Sequence, residues 1–133
     1  MLVLRAMLAV CMMFALSASA RADDPIVGAW AGTAKQDDGE PFEMRLTFVS
    51  PRGGISRYPG SPCGGYLTGG PKGRVYKYTE EITWGTKGEL ESYCIGGNVE
   101  IEVDGEKMKF KWSNTENGVE THTVGELKRR PSR

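Results

Sequence analysis

The 133-residue chain predicts an all-β domain, a single antiparallel up-and-down meander of about eight short strands closing into a small barrel held by one disulfide. Two observations carry this expectation. Beyond residue 22, apolar side chains recur with period two, and no stretch repeats with the helical period of about 3.6. The alternating runs are divided by glycine- and proline-rich breaks, to which 18 glycines and 7 prolines contribute.

The predicted elements follow in order. IVGAWAGTAK (26–35) opens the meander, with Gly28, Trp30 and Gly32 on one face, the glycines permitting the coiling that barrel closure needs. FEMRLTFVS (42–50) sets Phe42, Met44, Leu46 and Phe48 inward, alternating with Glu43, Arg45 and Thr47. ISRYP (55–59) and GYLTG (65–69) are short runs, and VYKYTEEITW (75–84) is a long one. The stretch from Tyr93 to Val103, then EKMKFKWS (106–113) and VETHTVGELKR (119–129), complete the set. A two-residue turn at Asp104-Gly105 would pair Ile101 with Met108 and Val99 with Phe110 on the inner face. On the outer face it would pair Glu102 with Lys107 and Glu100 with Lys109, and it would set Gly97 opposite Trp112, leaving space for the indole. Glu106 is the misfit of that register and is placed at a rim.

Residues 1–22 form a secretory leader by pattern: Arg5, an apolar run from Met7 to Leu16, and small residues ending at Ala20-Arg21-Ala22, with Ala18-Ser19-Ala20 as the alternative cleavage motif. The run is about half the length that spans a bilayer, so no integral membrane span is expected after cleavage. Removing 22 of the 133 residues leaves 111 (23–133), one β-barrel domain in the periplasm or secreted. Arg5 and Arg21 go with the leader, leaving 15 basic against 17 acidic residues, a net charge of −2. That balance excludes an electrostatic grip on nucleic acid or an anionic membrane, and a monomer is expected.

Cleavage also removes Cys11 and leaves Cys63 and Cys94, which in an oxidising compartment are expected to form one disulfide. With His122 as the only histidine, the chain lacks the four ligands of a zinc site, and neither metal nor cofactor is expected.

Tyr58 to Arg74, YPGSPCGGYLTGGPKGR, packs six glycines and three prolines around Cys63. A phosphate loop would need lysine where Pro71 stands and a helix behind it. The stretch reads instead as a rigid corner clamped by the disulfide. Catalysis finds little support. His122 is the lone imidazole, no nucleophile elbow is present, and the adjacent Glu80 and Glu81 point to opposite faces of a strand.

Glu80 is the residue that hydropathy does not explain. If Tyr76, Tyr78, Ile82 and Trp84 face inward, period two sends Glu80 inward with them. Such a carboxyl is either a polar anchor in a ligand cavity or a structural partner of an inward Arg or Tyr, unless a β-bulge turns it to solvent.

Gly28-Ala29-Trp30, opening the first strand of a small exported meander, resembles the G-x-W signature of lipocalins and the similar start of avidin-like barrels. The resemblance implies an antiparallel barrel with an apolar pocket, whose tryptophan closes one end under a basic residue from the last strand. Arg129, in alternation with Leu127 and Gly125, is positioned to stack on Trp30.

The leading functional expectation is a binding protein and not an enzyme. An apolar or amphipathic small molecule would lie among Tyr76, Tyr78, Trp84 and Phe110, with Glu80 as its polar contact. The alternative is an envelope-protein partner, as for a lysozyme-type hydrolase inhibitor, engaged by the 58–74 loop through Arg57, Tyr58 or Tyr66.

Overall fold

The computed structural model describes residues 23–85 and 94–131. The leader expected over 1–22 and the predicted strand start at Tyr93 lie outside the described residues. Eight strands run in chain order: β1 (Gly28–Gln36), β2 (Phe42–Ser50), β3 (Gly53–Tyr58), β4 (Cys63–Lys72), β5 (Val75–Trp84), β6 (Gly97–Asp104), β7 (Lys107–Glu116) and β8 (Val119–Arg129). Each pairs antiparallel with its neighbours, and β1 pairs with β8, closing the barrel.

Alternation explains the interior. Met44, Leu46 and Phe48 of β2 are buried while Glu43, Arg45 and Thr47 face out. Val99 and Ile101 of β6, Met108, Phe110 and Trp112 of β7, and Leu127 of β8 join them inside. Burying each large apolar side chain stabilises the fold by about 1.5–3 kcal/mol. β3 inverts the hydropathy pattern: Ser56 is wholly buried, whereas Ile55 is 41% exposed. Neighbouring geometry decides this, because a Cβ at Gly54 would meet the Phe48 ring at 2.6 Å, so the inner face of β3 at that level holds only a small residue.

Three expectations are corrected. The β6–β7 turn is Gly105-Glu106 and not Asp104-Gly105, so Ile101 pairs with Phe110, Val99 with Trp112 and Asp104 with Lys107. Gly105 takes φ 59°, at the first central position of the turn, where a type II′ hairpin demands glycine. Partners shift by two positions, which preserves every face, and a Cβ on Gly97 would still meet the Trp112 indole at 2.7 Å.

Trp84 does not share the interior with Tyr78. Gly65 pairs with Ile82 but Gly64 pairs with Trp84, so a bulge at Thr83 reverses the alternation and lays Trp84, 45% exposed, on the outer face over Gly64. The 58–74 stretch is not a long loop either. Tyr58 ends β3, residues 59–62 turn, and β4 carries the chain from Cys63 to Lys72. Its glycines serve close approach: a Cβ on Gly65 would collide with the Glu81 carbonyl, and one on Gly69 with that of Lys77. Cys63 and Cys94 form the disulfide, Cα atoms 6.5 Å apart, tying the start of β4 to the segment before β6 across the end of β5.

Candidate functional site

The two ends of the barrel differ. At one end, the segment before β1 folds under the sheet: Val27 N donates to Asp24 O at 2.9 Å, and Ile26 is fully buried. Trp30 is also fully buried, and its Nε1 donates to Ile26 O at 2.9 Å. Arg129, paired with Trp30 across β1 and β8, stacks its guanidinium 4.3 Å from the indole centroid. The same guanidinium donates to Val27 O at 2.6 Å and to Pro25 O, and its Nε lies 3.4 Å from Glu106. Tyr76 donates to Asp24 and Tyr78 to Pro51 O at 2.8 Å, the two rings stacked 4° from parallel. Burial, with Asp24 as hydrogen-bond partner and neighbouring charge, pushes the Tyr76 phenol up to about 12. Burial raises the Tyr78 phenol as well. This end is closed.

At the opposite end, the interior is not filled. A cavity of about 280 Å³ opens between the end of β1, the start of β2, the end of β3 and the segment around Cys94 and Ile95. Phe42, Tyr58, Glu80, Trp112 and Thr123 line it. Its volume lies just below the lower end of the range usual for small-molecule pockets, about 300–1,000 Å³.

Glu80 sits at the boundary between the filled and open halves and is 3% exposed. Tyr58 Oη donates to its Oε2 at 2.5 Å, linking β3 to β5 across the cavity. Burial raises the Glu80 carboxyl above the usual carboxylate range, and the donors Tyr58, Ser56 and Trp112 partly offset that rise. Of the three, only Tyr58 completes a hydrogen bond. Ser56 Oγ and Trp112 Nε1 are close enough to act on the carboxyl but outside bonding geometry, and both remain buried without a partner. Burial and the adjacent Glu80 hold the Tyr58 phenol well above its ordinary value, so it stays a donor.

No family model and no curated protein matches this chain. Two solved structures are similar to it. A redesigned beta barrel is 19% identical, with a TM-score of 0.56 over 80% of this chain and 93% of that one. Rv2717c from M. tuberculosis is 15% identical, with a TM-score of 0.43 over 80% of this chain and 94% of that one. The first likeness shows the fold and nothing finer.

Of the five residues expected around a ligand, Glu80 alone lines the open cavity. Tyr76 and Tyr78 lean toward the closed end, Phe110 is core, and Trp84 is outside. Of the alternative surface, Tyr58 turns inward to Glu80, while Arg57 and Tyr66 stand on the outer faces of β3 and β4, Tyr66 56% exposed. Sequence reasoning missed Phe42 and Trp112 as cavity residues. Both are inward by alternation, but their height along the barrel has no local signal. Tyr58 could have been found from its parity with Ser56 and Gly54 once β3 was known to present small residues inward. Among the described residues, no cluster of three or more His, Cys, Asp or Glu converges as metal ligands. No described helix is long and apolar enough to cross a membrane.

Proposed function

We propose that this is an exported binding protein that holds a small amphipathic molecule in the open end of the barrel, with Glu80 as the polar contact and Phe42, Tyr58 and Trp112 as the apolar walls. The observation that carries the reading is the cavity of about 280 Å³, confined to one end of a barrel whose other end is packed shut. Export rests on the leader pattern of residues 1–22 and on the Cys63–Cys94 bridge, since disulfides persist in oxidising compartments. The closed end under Trp30 and Arg129 accords with the lipocalin-like resemblance, in which one mouth admits the ligand. Binding suits the site, where Tyr58 grips Glu80 at the base of an opening walled by Phe42 and Trp112.

Native mass spectrometry of protein recovered undenatured from its host tests this. A non-covalent adduct is expected on the wild type and not on Thr121→Phe, which fills the mouth from its rim. Equal spectra with no adduct on either would overturn the reading.

A further inference from the structure

The described lining of the open-end cavity is one-sided in charge. Among the described lining residues Glu80 is the one acid, and none is a lysine, arginine or histidine. The ion pairs seen among the described residues lie elsewhere, at Arg45–Glu43 and Arg129–Glu106, as does the contact of His122 with Glu120. A buried carboxyl without a counter-charge is destabilising unless it is neutralised or paired.

A second, independent feature stands beside it. Trp112, 6% exposed and lining the cavity, has an unpartnered Nε1, and the fully buried Ser56 has an unpartnered Oγ. An ionised carboxylate offers about four acceptor positions, enough for Tyr58, Ser56, Trp112 and one further donor. The aromatic walls add a third feature: Phe42 and Tyr58 meet edge to face with centroids 6.0 Å apart, and the Trp112 indole shares the cavity with them. Aromatic faces around a carboxylate attract organic cations through their quadrupoles.

We propose that the ligand is a small amphipathic amine bound as its ammonium ion, the charged head against Glu80 and the apolar body among Phe42, Tyr58 and Trp112. The proposal rests on the reading of this cavity as a ligand site and narrows its ligand class. An ionised Glu80 repels an anion, and a neutral molecule brings it no counter-charge. A hard metal cation would need about six oxygen ligands, and the described residues supply no such cluster. An ammonium head keeps Glu80 ionised, and the ionised form gives Trp112 Nε1 and Ser56 Oγ the acceptor they lack.

The test titrates the oxidised protein with three probes of one shape: phenethylammonium, phenethyl alcohol and phenylacetate. The readout is the Trp112 indole N–H resonance, assigned through Trp112→Phe. Phenethylammonium is expected to bind at least about tenfold tighter than the alcohol, with phenylacetate weakest. Glu80→Gln is expected to bring the ammonium down to the affinity of the alcohol. Equal affinity of alcohol and ammonium, or tighter binding of phenylacetate, would overturn the amine assignment while leaving the cavity a ligand site. No response to any probe up to about 10 mM, well beyond usual small-ligand affinities, would overturn both. The wild-type series decides between these results whether or not the variant folds.

Discussion

Tyr58 and Glu80 are 22 positions apart in the chain, yet the phenol donates to the carboxyl at 2.5 Å across the open end of the barrel. This contact is the polar floor of the cavity, where the packed core stops. It makes Glu80 a structural partner of a tyrosine as well as the cavity's anchor, and the two roles separate by experiment.

Tyr58→Phe removes the one completed hydrogen bond to Glu80 while keeping the ring against Phe42. Loss of a donor to a buried carboxyl is expected to lower stability by about 1–3 kcal/mol. Urea unfolding of the variant and of Tyr58→Phe/Glu80→Gln checks it. The loss should shrink in the double variant, where no charge is left without its donor.

Glu80 gives the protein a pH dependence whose sign follows from burial. Its native carboxyl sits above the ordinary range, so the folded state binds that proton more tightly than the unfolded chain does. Stability is therefore greatest below the unfolded carboxylate value and falls as pH rises through the raised native value. Glu80→Gln, which still offers Tyr58 an acceptor, is expected to gain on the wild type as pH rises from about 4 to 8. Denaturant melts across that range measure the gap, and a variant less stable at every pH would make Glu80 a purely structural partner.

Arg129→Lys is expected to destabilise the closed end by about 1–3 kcal/mol, because lysine can neither stack flat on Trp30 nor present the planar fork whose separate nitrogens reach the Val27 and Pro25 carbonyls. Glu106→Gln should cost less than about 1 kcal/mol, since the Glu106 side chain is 78% exposed. Thermal melts separate the two, each kcal/mol moving the midpoint by about 4–8 °C in a domain of this size.

Reduction of Cys63–Cys94 opens a loop of 31 positions and is expected to lower stability by about 3–4 kcal/mol. The loss should be local in its dynamics. Amide exchange is expected to speed up at Gly97–Val99 beside the bridge before it does at Ile101, deeper in the core. Uniform exchange with and without reductant would count against a clamp at the open end.

Most of the barrel is legible from alternation. The inward faces of β2 and β7, the inward turn of Glu80 and the side on which Arg129 stands follow from counting by twos within single strands. Where a prediction failed, one local event intervened. A bulge at Thr83 flipped Trp84, and the φ of Gly105 moved the β6–β7 turn by one residue. Tyr58 was misplaced for another reason: a Pro/Gly-rich stretch suggests a loop, whereas here most glycines lie within β4, and at Gly64, Gly65 and Gly69 neighbouring backbone leaves no room for a Cβ.

Residue order alone determined the all-β class, the eight-strand meander, the pairing of Cys63 with Cys94 and the side of the sheet on which nearly every large described residue stands. Tertiary structure alone decided how far along the barrel axis each inward side chain lies. That height placed Phe42, Tyr58, Glu80 and Trp112 around one opening and sent Tyr76 and Tyr78 to the other end. The physical reason is that period two is a property of each strand, while height depends on strand stagger accumulated around the whole closed sheet, to which every turn and bulge contributes.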